Sequence, residues 1–257
     1  MLGSGPIKEK LAAGDLVVGT MVFEFGTTGV ARLAAAAGAE FVIFDMEHTG
    51  WTSETTRNLF ASSRAADLVP IVRVPANQYH LISTQLDLGA RGVMVPMIET
   101  VDGAREVARS MRYPPDGGRG AAFGIAHDDY LGGDITTKMS AANAQLLSIV
   151  QVETARGLDR VEDIAAVDGI DMLWMGQFDL TNSLGVPGRF DDPAYVRAVD
   201  RFVGAARSAG KHLGALALSV DEAKRWIDLG FNCIAYAGDL WLYRQALAEG
   251  LSAIRAR

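Results

Sequence analysis

Two acidic residues, Glu153 and Asp179, each follow an apolar run that ends abruptly. Residues 146–152 form the first run, which Glu153 closes, and residues 170–175 form the second, which leads through a short turn to Asp179. Such near-continuous apolar runs are typical of strands buried on both faces of a parallel sheet. Residues 154–168 between them have helical spacing. This strand–helix–strand unit predicts that both carboxylates emerge at the same end of the sheet and converge.

Converging carboxylates can bind a metal ion. Their hard oxygen atoms suit Mg²⁺, Mn²⁺ or a similar divalent ion, and two ligands leave positions open for substrate and water. Each residue alone also has a structural interpretation, with Glu153 as a buried acid paired with an arginine and Asp179 as a helix cap. Both interpretations stay open on this segment alone.

Further polar residues occur where other predicted strands end. The second strand runs into Asp45, Glu47 and His48, the third ends at Arg73, and the fifth carries Gln151. Each of them alone is compatible with a structural role, His48 as a buried histidine and Arg73 as a counter-charge. Catalytic groups of a barrel come from strand ends, so a base, a cation, an amide and two carboxylates together favour an enzyme active site.

The lysines argue against Schiff-base chemistry, which needs a lysine that projects into the site. They fall near the N-terminus, in a long irregular segment, before a strand or on a helix: Lys8, Lys10, Lys138, Lys211 and Lys224. Activation of a carbonyl by a metal is therefore favoured. A GxSxG elbow and a Walker-type phosphate loop are also missing from the sequence, which argues against a hydrolase and a kinase.

The remaining histidines are weaker candidates. His80 lies on a predicted helix, and His212 opens a strand, which is the stability end of a barrel. His127 lies in the irregular segment, where it could contact a substrate.

Eight strand-like segments alternate with helical ones along the chain, which predicts an α/β fold of the (β/α)8 TIM-barrel type, with residues 1–257 as one domain. The predicted strands are 17–23, 41–45, 70–74, 92–97, 148–153, 171–175, 212–218 and 233–237. The predicted helices are 29–37, 53–66, 78–88, 101–111, 154–166, 194–209, 220–229 and 240–254.

One segment, residues 113–143, interrupts this alternation. Its prolines, its glycines and the polar run at residues 127–129 look too irregular for a barrel helix. Long ordered loops are often functional, and this one could descend over the active face. A subunit contact or a tolerated insertion explains it equally well.

Composition limits the class of protein. The chain has 257 residues, 49% of them hydrophobic, which suffices for a substantial core. A net charge of −7 with interspersed signs predicts neither nucleic-acid nor membrane binding. The single Cys233 excludes an intramolecular disulfide framework, so the expected location is the cytoplasm. The first ten residues lack the apolar stretch of a signal peptide.

Several motifs follow one another in a recognisable order. They are FDMEH at 44–48, VRVP at 72–75, LDLGA at 86–90 with VPM at 95–97, RYPP at 112–115 with RG at 119–120, VQVET at 150–154, and DL at 179–180 with SLG at 183–185. Nearly end to end, the chain resembles the HpcH/HpaI family of metal-dependent pyruvate aldolases, which includes 4-hydroxy-2-oxoheptanedioate and 2-dehydro-3-deoxyglucarate aldolases.

The resemblance implies roles for individual residues. Glu153 and Asp179 would bind the divalent metal, which would be Mg²⁺, Mn²⁺ or Co²⁺. His48 would act as the base, Arg73 would stabilise the transition state, and Asp87 would raise the basicity of the histidine.

The resemblance also implies a substrate site and an assembly. Gln151 and the backbone at Phe178 would contact the oxo acid beside Asp179. The family is typically oligomeric, as a trimer or hexamer, with a swapped C-terminal helix that would correspond to residues 240–254.

Two departures from the family pattern affect the acceptor pocket. The family usually has Gly-Pro and then Ser or Ala before the metal-binding aspartate, whereas this chain has Gly176, Gln177 and Phe178. Met46 also replaces the usual glycine before Glu-His. The bulky side chains at 46 and 178 should reshape the pocket without changing the metal ligands.

These expectations combine into one reaction. A divalent metal chelated by the 2-oxo acid would stabilise the pyruvate enolate that forms from it, with Arg73 as a second positive charge, while His48 removes the hydroxyl proton of the aldol. The predicted activity is reversible cleavage of a 4-hydroxy-2-oxo acid to pyruvate and an aldehyde, a carbon–carbon lyase reaction. The alternatives are oxaloacetate decarboxylation or a macrophomate-synthase-like condensation through the same enolate. A barrel that only binds an oxo acid, as a sensor or assembly component, is a further alternative. The presence of His48, Arg73, Glu153 and Asp179 argues against it.

Overall fold

The computed structural model describes residues 6–256, in which eight parallel strands close into a barrel in sequence order. The strands are β1 (Val17–Val22), β2 (Phe41–Asp45), β3 (Val69–Arg73), β4 (Gly92–Val95), β5 (Leu147–Val152), β6 (Met172–Met175), β7 (His212–Ala217) and β8 (Cys233–Gly238). Because β1 pairs with both β2 and β8, the sheet has no free edge. The predicted TIM barrel is confirmed, with strand bounds within a few residues of those expected.

Helices surround the barrel and alternate with its strands. They are α1 (Pro6–Ala12), α2 (Gly29–Ala36), α3 (Ser53–Arg64), α4 (Tyr79–Asp87), α5 (Val101–Met111), α6 (Ile135–Gln145), α7 (Ala155–Leu158), α8 (Val161–Ala165), α9 (Gln177–Ser183), α10 (Pro193–Ser208), α11 (Val220–Asp228) and α12 (Asp239–Arg255). None of the helices within the described residues combines the length and the hydropathy that a membrane crossing requires.

Two apolar cores support the barrel. Inward-pointing side chains, among them Phe41 and Trp174, fill the barrel interior. Trp174 needs the space at Gly214 on β7, where an added Cβ would lie 2.2 Å from the indole ring. The second core lies between the strands and the outer helices, where Phe44 of β2 packs on Phe60 of α3. Burial on both faces explains why the strands have near-continuous apolar sequences.

Helix α1 closes the end of the barrel where the strands begin. Leu11 belongs to the interior cluster. Lys8 on the same helix donates to the carbonyl oxygen of Leu146 before β5 and pairs with Asp171 before β6, at an Nζ–Oδ1 distance of 2.9 Å. The functional end of the barrel is therefore the opposite one, where the strands finish.

Two helix predictions were wrong. The single helix expected over 154–166 is two short helices, α7 and α8, because the backbone leaves the helical region at Arg160, with φ −118° and ψ 11°. The segment 113–143, expected to be irregular, contains most of α6 and a 3-10 turn at Ala126–Asp128. Asp134 caps α6 by accepting a hydrogen bond from the backbone nitrogen of Thr137.

The same segment does not cover the active face of its own barrel. It connects α5 to the start of β5, and Arg64 at the end of α3 donates to the carbonyl oxygen of Ala126 and pairs with Asp129. Because α3 ends where the next strand begins, these contacts lie at the strand-start end. The alternative of a subunit contact remains a prediction.

Acid should destabilise this segment through His127. The imidazole is buried and donates from Nε2 to the carbonyl oxygen of Ala122 at 2.7 Å, and burial is the main cause that lowers its pKa below 6.5. In the unfolded chain the imidazole takes up a proton near pH 6.5, whereas the folded chain resists it, so stability is lost as the pH falls through this range.

We expect His127→Gln to lose less unfolding free energy than the wild type between pH 7.5 and 5.5, values that span the ordinary histidine pKa of about 6.5. Urea unfolding at several pH values measures this, with the exposed His80→Gln as the matched control. Parallel curves for His127→Gln and the wild type would show that His127 does not set the acid sensitivity.

Candidate active site

A buried ion pair joins the ends of β2 and β3. Asp45 and Arg73 are register partners, and Nε of Arg73 donates to Oδ1 of Asp45 at 2.7 Å. Asp45 is fully buried and also accepts hydrogen bonds from the backbone nitrogens of Glu47 and His48, both at 3.1 Å. Asp45 therefore fixes both the guanidinium and the turn that carries the histidine.

Glu47 links the same cation to the histidine. Its Oε2 lies 3.3 Å from Nε of Arg73 and 3.6 Å from Nε2 of His48, whose side chain is 58% exposed. The pKa of Glu47 is raised, first because of burial and then because of the nearby charges of Asp45 and Asp179, although Arg73 opposes the shift. The His48 imidazole is thus accessible and lies beside a partly buried carboxyl group.

Glu153 lies almost completely buried directly after β5. Its Oε1 accepts a hydrogen bond from the backbone nitrogen of Met97 at 2.7 Å, and its Oε2 accepts one from Nε2 of Gln151. Burial raises the pKa of Glu153 to about 7, and the charges of Glu47 and Asp179 act in the same direction. Three carboxylates therefore repel one another across this end of the barrel, which we name the mouth and define by Glu47, Glu153 and Asp179.

The backbone after β6 leaves space for Glu153. A Cβ on Gly176 would lie 2.4 Å from Cβ of Glu153 and 2.6 Å from its Oε2. Any larger residue at 176 must therefore displace the carboxylate.

We expect Gly176→Ala to fold but to weaken Mn²⁺ binding by at least about tenfold, the lower range for disturbing groups that orient a metal ligand. Isothermal titration calorimetry measures the affinity. Gly204→Ala on α10 is the matched control, since an added Cβ there meets nothing within 4 Å. Equal affinities in both variants would contradict the role given to Gly176.

Asp179 lies in the first turn of α9, directly after β6, and its side chain is exposed. The preceding Phe178 turns its ring toward Phe190, at a centroid distance of 5.4 Å. Gln177 holds the start of α9 by donating from Nε2 to the carbonyl oxygen of Leu216 on β7 at 2.6 Å. The structure thus brings Asp179 to the same barrel end as Glu153, while the Phe178 side chain packs outside it.

The mouth fits a divalent cation by its chemistry. Oxygen ligands are the type that Mg²⁺, Mn²⁺ and Co²⁺ accept. Burial is the main cause that raises the pKa values of Glu47 and Glu153, and the neighbouring carboxylates add to it, so a cation would stabilise the charged forms that burial and repulsion disfavour. Within residues 6–256, no three His, Cys, Asp or Glu side chains already stand in a metal-binding arrangement. If Glu153 and Asp179 are the two protein ligands, as the sequence predicts, water or substrate would have to supply the others.

Asp87 is not part of this mouth. It is the last residue of α4, before the start of β4, and its carboxylate accepts a hydrogen bond from Nη2 of Arg119 at 2.5 Å. His48 follows the end of β2, so the two residues lie at opposite ends of one barrel. The expected effect of Asp87 on His48 therefore does not arise within a single chain.

Three features of the mouth were not predicted from the sequence. Asp45, expected only as part of a strand end, anchors both Arg73 and His48. Gly176, expected only as part of a departure from the family pattern, leaves room for the Glu153 carboxylate. Met97 adopts a left-handed backbone with φ 57°, which accompanies the hydrogen bond from its nitrogen to Glu153. A sequence signal for Asp45 was available: an acidic residue ends one apolar strand, and an arginine ends the next strand along the chain.

Comparison with known proteins supports the predicted resemblance. The family model described as HpcH/HpaI aldolase/citrate lyase matches residues 20–246. A hydroxypyruvate/pyruvate aldolase of Paraburkholderia phytofirmans is 36% identical over 259 residues, covering 98% of this chain and 98% of the relative. A 2-keto-3-deoxy-L-rhamnonate aldolase of Shigella sonnei is 32% identical over 253 residues, covering 98% and 94%.

A solved structure agrees with these relatives. The crystal structure of an HpcH/HpaI aldolase from Desulfitobacterium hafniense superimposes with a TM-score of 0.93 at 27% identity. The superposition covers 97% of this chain and 96% of that one.

Proposed function

Because the chain belongs to the HpcH/HpaI aldolase/citrate lyase family, we propose that it is a carbon–carbon lyase that cleaves a 4-hydroxy-2-oxo acid reversibly to pyruvate and an aldehyde. The observation that carries this proposal is the mouth itself. It combines mutually repelling carboxylates with a buried guanidinium and an exposed imidazole at one barrel end. These are the groups that an oxo acid and a departing hydroxyl proton require.

Glu153 and Asp179 are the residues that would hold Mg²⁺, Mn²⁺ or Co²⁺. When bound, such an ion supplies Lewis acidity that polarises the carbonyl of a 2-oxo acid. Met97 and Gln151 would keep Glu153 oriented through the hydrogen bonds that they donate to its two oxygens.

The other polar groups act on the substrate. Arg73 would place positive charge against the negative charge that develops on the pyruvate half when the carbon–carbon bond breaks. The electron pair of that bond passes to this half, and His48 takes the hydroxyl proton from the half that leaves as the aldehyde. In the reverse direction, His48 returns the proton to the new alkoxide. Gln151 and the backbone nitrogen of Phe178 would orient the oxo acid.

An assay of pyruvate release tests this function. The purified protein is incubated with 4-hydroxy-2-oxo acids, with chelator and then with added Mg²⁺, Mn²⁺ or Co²⁺. We expect release that the chelator stops and the metal restores. Faster carbon dioxide release from oxaloacetate, without cleavage of hydroxy-oxo acids, would favour the decarboxylase alternative. Saturable binding of an oxo acid with no turnover would contradict both enzyme readings and favour a barrel that only binds the oxo acid.

We further propose that the protein is a homo-oligomer, a trimer or hexamer, joined through α12. Leu247, Leu251 and Ile254 on α12 are 41–66% exposed and share one face at helical spacing. Val18 on β1 is 37% exposed, although helices cover strands in a barrel of this type. A swapped α12 from another copy would cover such a strand. A second copy is also what the proposed action of Asp87 on His48 requires, given their positions at opposite barrel ends.

Charges on this face should dissociate the assembly. We expect Leu247→Glu combined with Leu251→Glu to reduce the particle mass from three or six chains toward one. The two introduced charges would have to be buried against the apolar surface of another copy, which is unfavourable. Light scattering after size exclusion measures the mass, and Lys224→Glu on α11 serves as the charge-changing control. A wild-type protein with the mass of one chain would refute the oligomer.

A cytoplasmic location is also proposed. Its support is Cys233, which is fully buried and unpaired, as is common in reducing compartments.

A further inference from the structure

The β1 loop, which we define as residues 23–25, is held by a single carboxylate from the start of α12. Asp239, the first residue of α12, accepts a hydrogen bond on Oδ1 from the backbone nitrogen of Phe23 at 2.9 Å. Its Oδ2 accepts from the backbone nitrogens of Glu24 at 3.0 Å and Phe25 at 2.7 Å. Three successive amides of the loop therefore point at one side chain that lies more than two hundred residues later in the sequence.

A register shift between β1 and β8 brings Asp239 to this loop. Between two successive register pairs β8 has one residue more than β1, and the second pair joins Met21 to Gly238. This stretch contains Ala237, whose backbone is left-handed with φ 52°. Such a conformation costs free energy in a residue other than glycine, and extra residues in a strand often re-aim side chains beside functional sites. With the extra residue, β8 ends level with Met21, so Asp239 follows directly beside the end of β1.

Two ring contacts join the same elements. Phe23 packs on Trp241 with ring centroids 5.1 Å apart, and Phe25 meets Tyr243 edge to face at 5.6 Å. Both partners lie in the first two turns of α12. The β1 loop is thus attached to the start of α12 by one carboxylate and two aromatic rings.

The β1 loop forms part of the wall of a cavity that contains His48. The cavity has a volume of about 400 Å³, which is in the range of small-molecule sites. Phe23, Glu24 and Leu240 line it together with His48 and Trp51. Two loop residues and the second residue of α12 therefore border the space beside the proposed base.

The position of this cavity fits the half of the substrate that leaves as the aldehyde. The cavity borders the ends of β1 and β2, which lie across the closed barrel from β5 and β6, the strands that lead to Glu153 and Asp179. In the proposed cleavage, His48 takes the proton from the hydroxyl of the carbon that becomes the aldehyde carbon. The rest of the aldehyde is bonded to that carbon on the side away from the oxo acid. The cavity adjoins His48 on the side away from these two carboxylates.

We propose that Asp239 is a positioning residue for the aldehyde half of the substrate. It fixes the β1 loop as a wall of the cavity beside His48, without touching the substrate itself. This role rests on the proposed lyase activity. Loss of the carboxylate should therefore weaken productive binding of the aldehyde and leave steps that need only pyruvate unchanged.

Two reactions of the full chain with added Mg²⁺ separate this role from general damage. Replacement of the pyruvate methyl protons by deuterium in D₂O needs the enolate but no aldehyde, and proton NMR measures its rate. In this reaction a C–H bond breaks, the proton passes to solvent, and a deuteron takes its place. Aldol synthesis from pyruvate and propanal or glycolaldehyde, whichever the wild type accepts, needs both partners.

Asp239→Asn should affect only the second reaction. Asparagine keeps the side-chain shape, but its NH₂ group would face loop amides that need an acceptor. We expect kcat/KM for the aldehyde to fall by about 10–100-fold, since a misplacement of about 1 Å can cost on the order of 10²-fold. The rate of deuterium incorporation into pyruvate should stay at the wild-type value.

A second variant moves the same wall without changing the carboxylate. A Cβ on Gly238 would lie 2.9 Å from Cε2 of Phe23 and 2.9 Å from Cε3 of Trp241. Gly238→Ala should therefore displace the Phe23 ring and also lower kcat/KM for the aldehyde. Asp221→Asn, the same substitution as at 239 but at an exposed acid in the first turn of α11, should change neither reaction. Each variant should keep the wild-type particle mass, and a lower mass would assign the loss to assembly and overturn the role.

Amide hydrogen exchange tests the loop without any turnover. Mass spectrometry of peptides that cover residues 23–25 should show faster amide exchange in Asp239→Asn than in the wild type, because three amides lose their acceptor. Unchanged amide exchange there, or equal losses of aldol synthesis and of deuterium incorporation into pyruvate, would overturn the proposal. Faster amide exchange in the variant of a protein that catalyses neither reaction would instead refute the lyase activity, and the aldehyde role with it.

Discussion

Replacing Glu153 by Gln is expected to abolish pyruvate release and to weaken Mn²⁺ binding by at least about 100-fold, more than the loss caused by disturbing a group that only orients a ligand. The change removes one of two proposed ligand charges while keeping the side-chain shape. Gln151 can rotate its amide to bond the new side chain, so the packing around position 153 should persist.

Stability separates this result from misfolding. Glu153 is 2% exposed and its pKa is raised to about 7, so its charge is unfavourable in the metal-free protein near neutral pH. Without metal, Glu153→Gln should be at least as stable as the wild type. Mn²⁺ titration calorimetry, urea unfolding and pyruvate release measure the three properties, with the exposed Glu54→Gln on α3 as the control. Full activity of Glu153→Gln would remove this residue from the site.

Replacing Arg73 by Lys is expected to lower kcat/KM for aldol cleavage by about 10²–10³-fold, the range for losing a charge-stabilising donor. Lysine keeps the positive charge but lacks the Nε donor that lies 2.7 Å from Asp45 and 3.3 Å from Glu47. The cation would then no longer be fixed where charge develops. Steady-state kinetics measure the loss, and Arg156→Lys, 74% exposed, is the control.

A second variant at this position tests its structural role. Arg73→Met leaves the fully buried Asp45 without its cation, which should destabilise the fold by about 3–5 kcal/mol. Urea unfolding measures the difference from the wild type. If Arg73→Lys retained wild-type kcat/KM while Arg73→Met lost only stability, Arg73 would be a purely structural residue.

The barrel was predictable because its strands are buried on both faces. The apolar runs ending at Asp45, Arg73 and Glu153 are recognisable in the sequence, and parallel pairing places their ends together. The convergence of Glu153 and Asp179 on one end is expected for the same reason.

Helix α6 was missed because its sequence carries little pattern. Within Ile135–Gln145 only Ala142 is buried, so no apolar stripe marks a packed face. The available signal was local: Asp134 followed three residues later by Thr137, which is an N-cap arrangement.

The position of Asp87 could not be obtained from motif order alone. A motif shows which residues occur together along the chain. The end of the barrel at which a residue lies depends on whether that residue finishes a strand or a helix. Asp87 finishes α4, so it lies with Arg119 at the strand-start end. The space that Gly176 leaves for Glu153 could not be predicted from motif order either, because it depends on the packing of β5 against the turn after β6.

The most direct test of the metal site is anomalous scattering from crystals soaked in Mn²⁺ and pyruvate. We predict one manganese peak in contact with carboxylate oxygens of both Glu153 and Asp179, with Arg73 facing the bound oxo acid. Strong manganese peaks at other positions, with none between these two carboxylates, would contradict a metal-dependent lyase built on this pair.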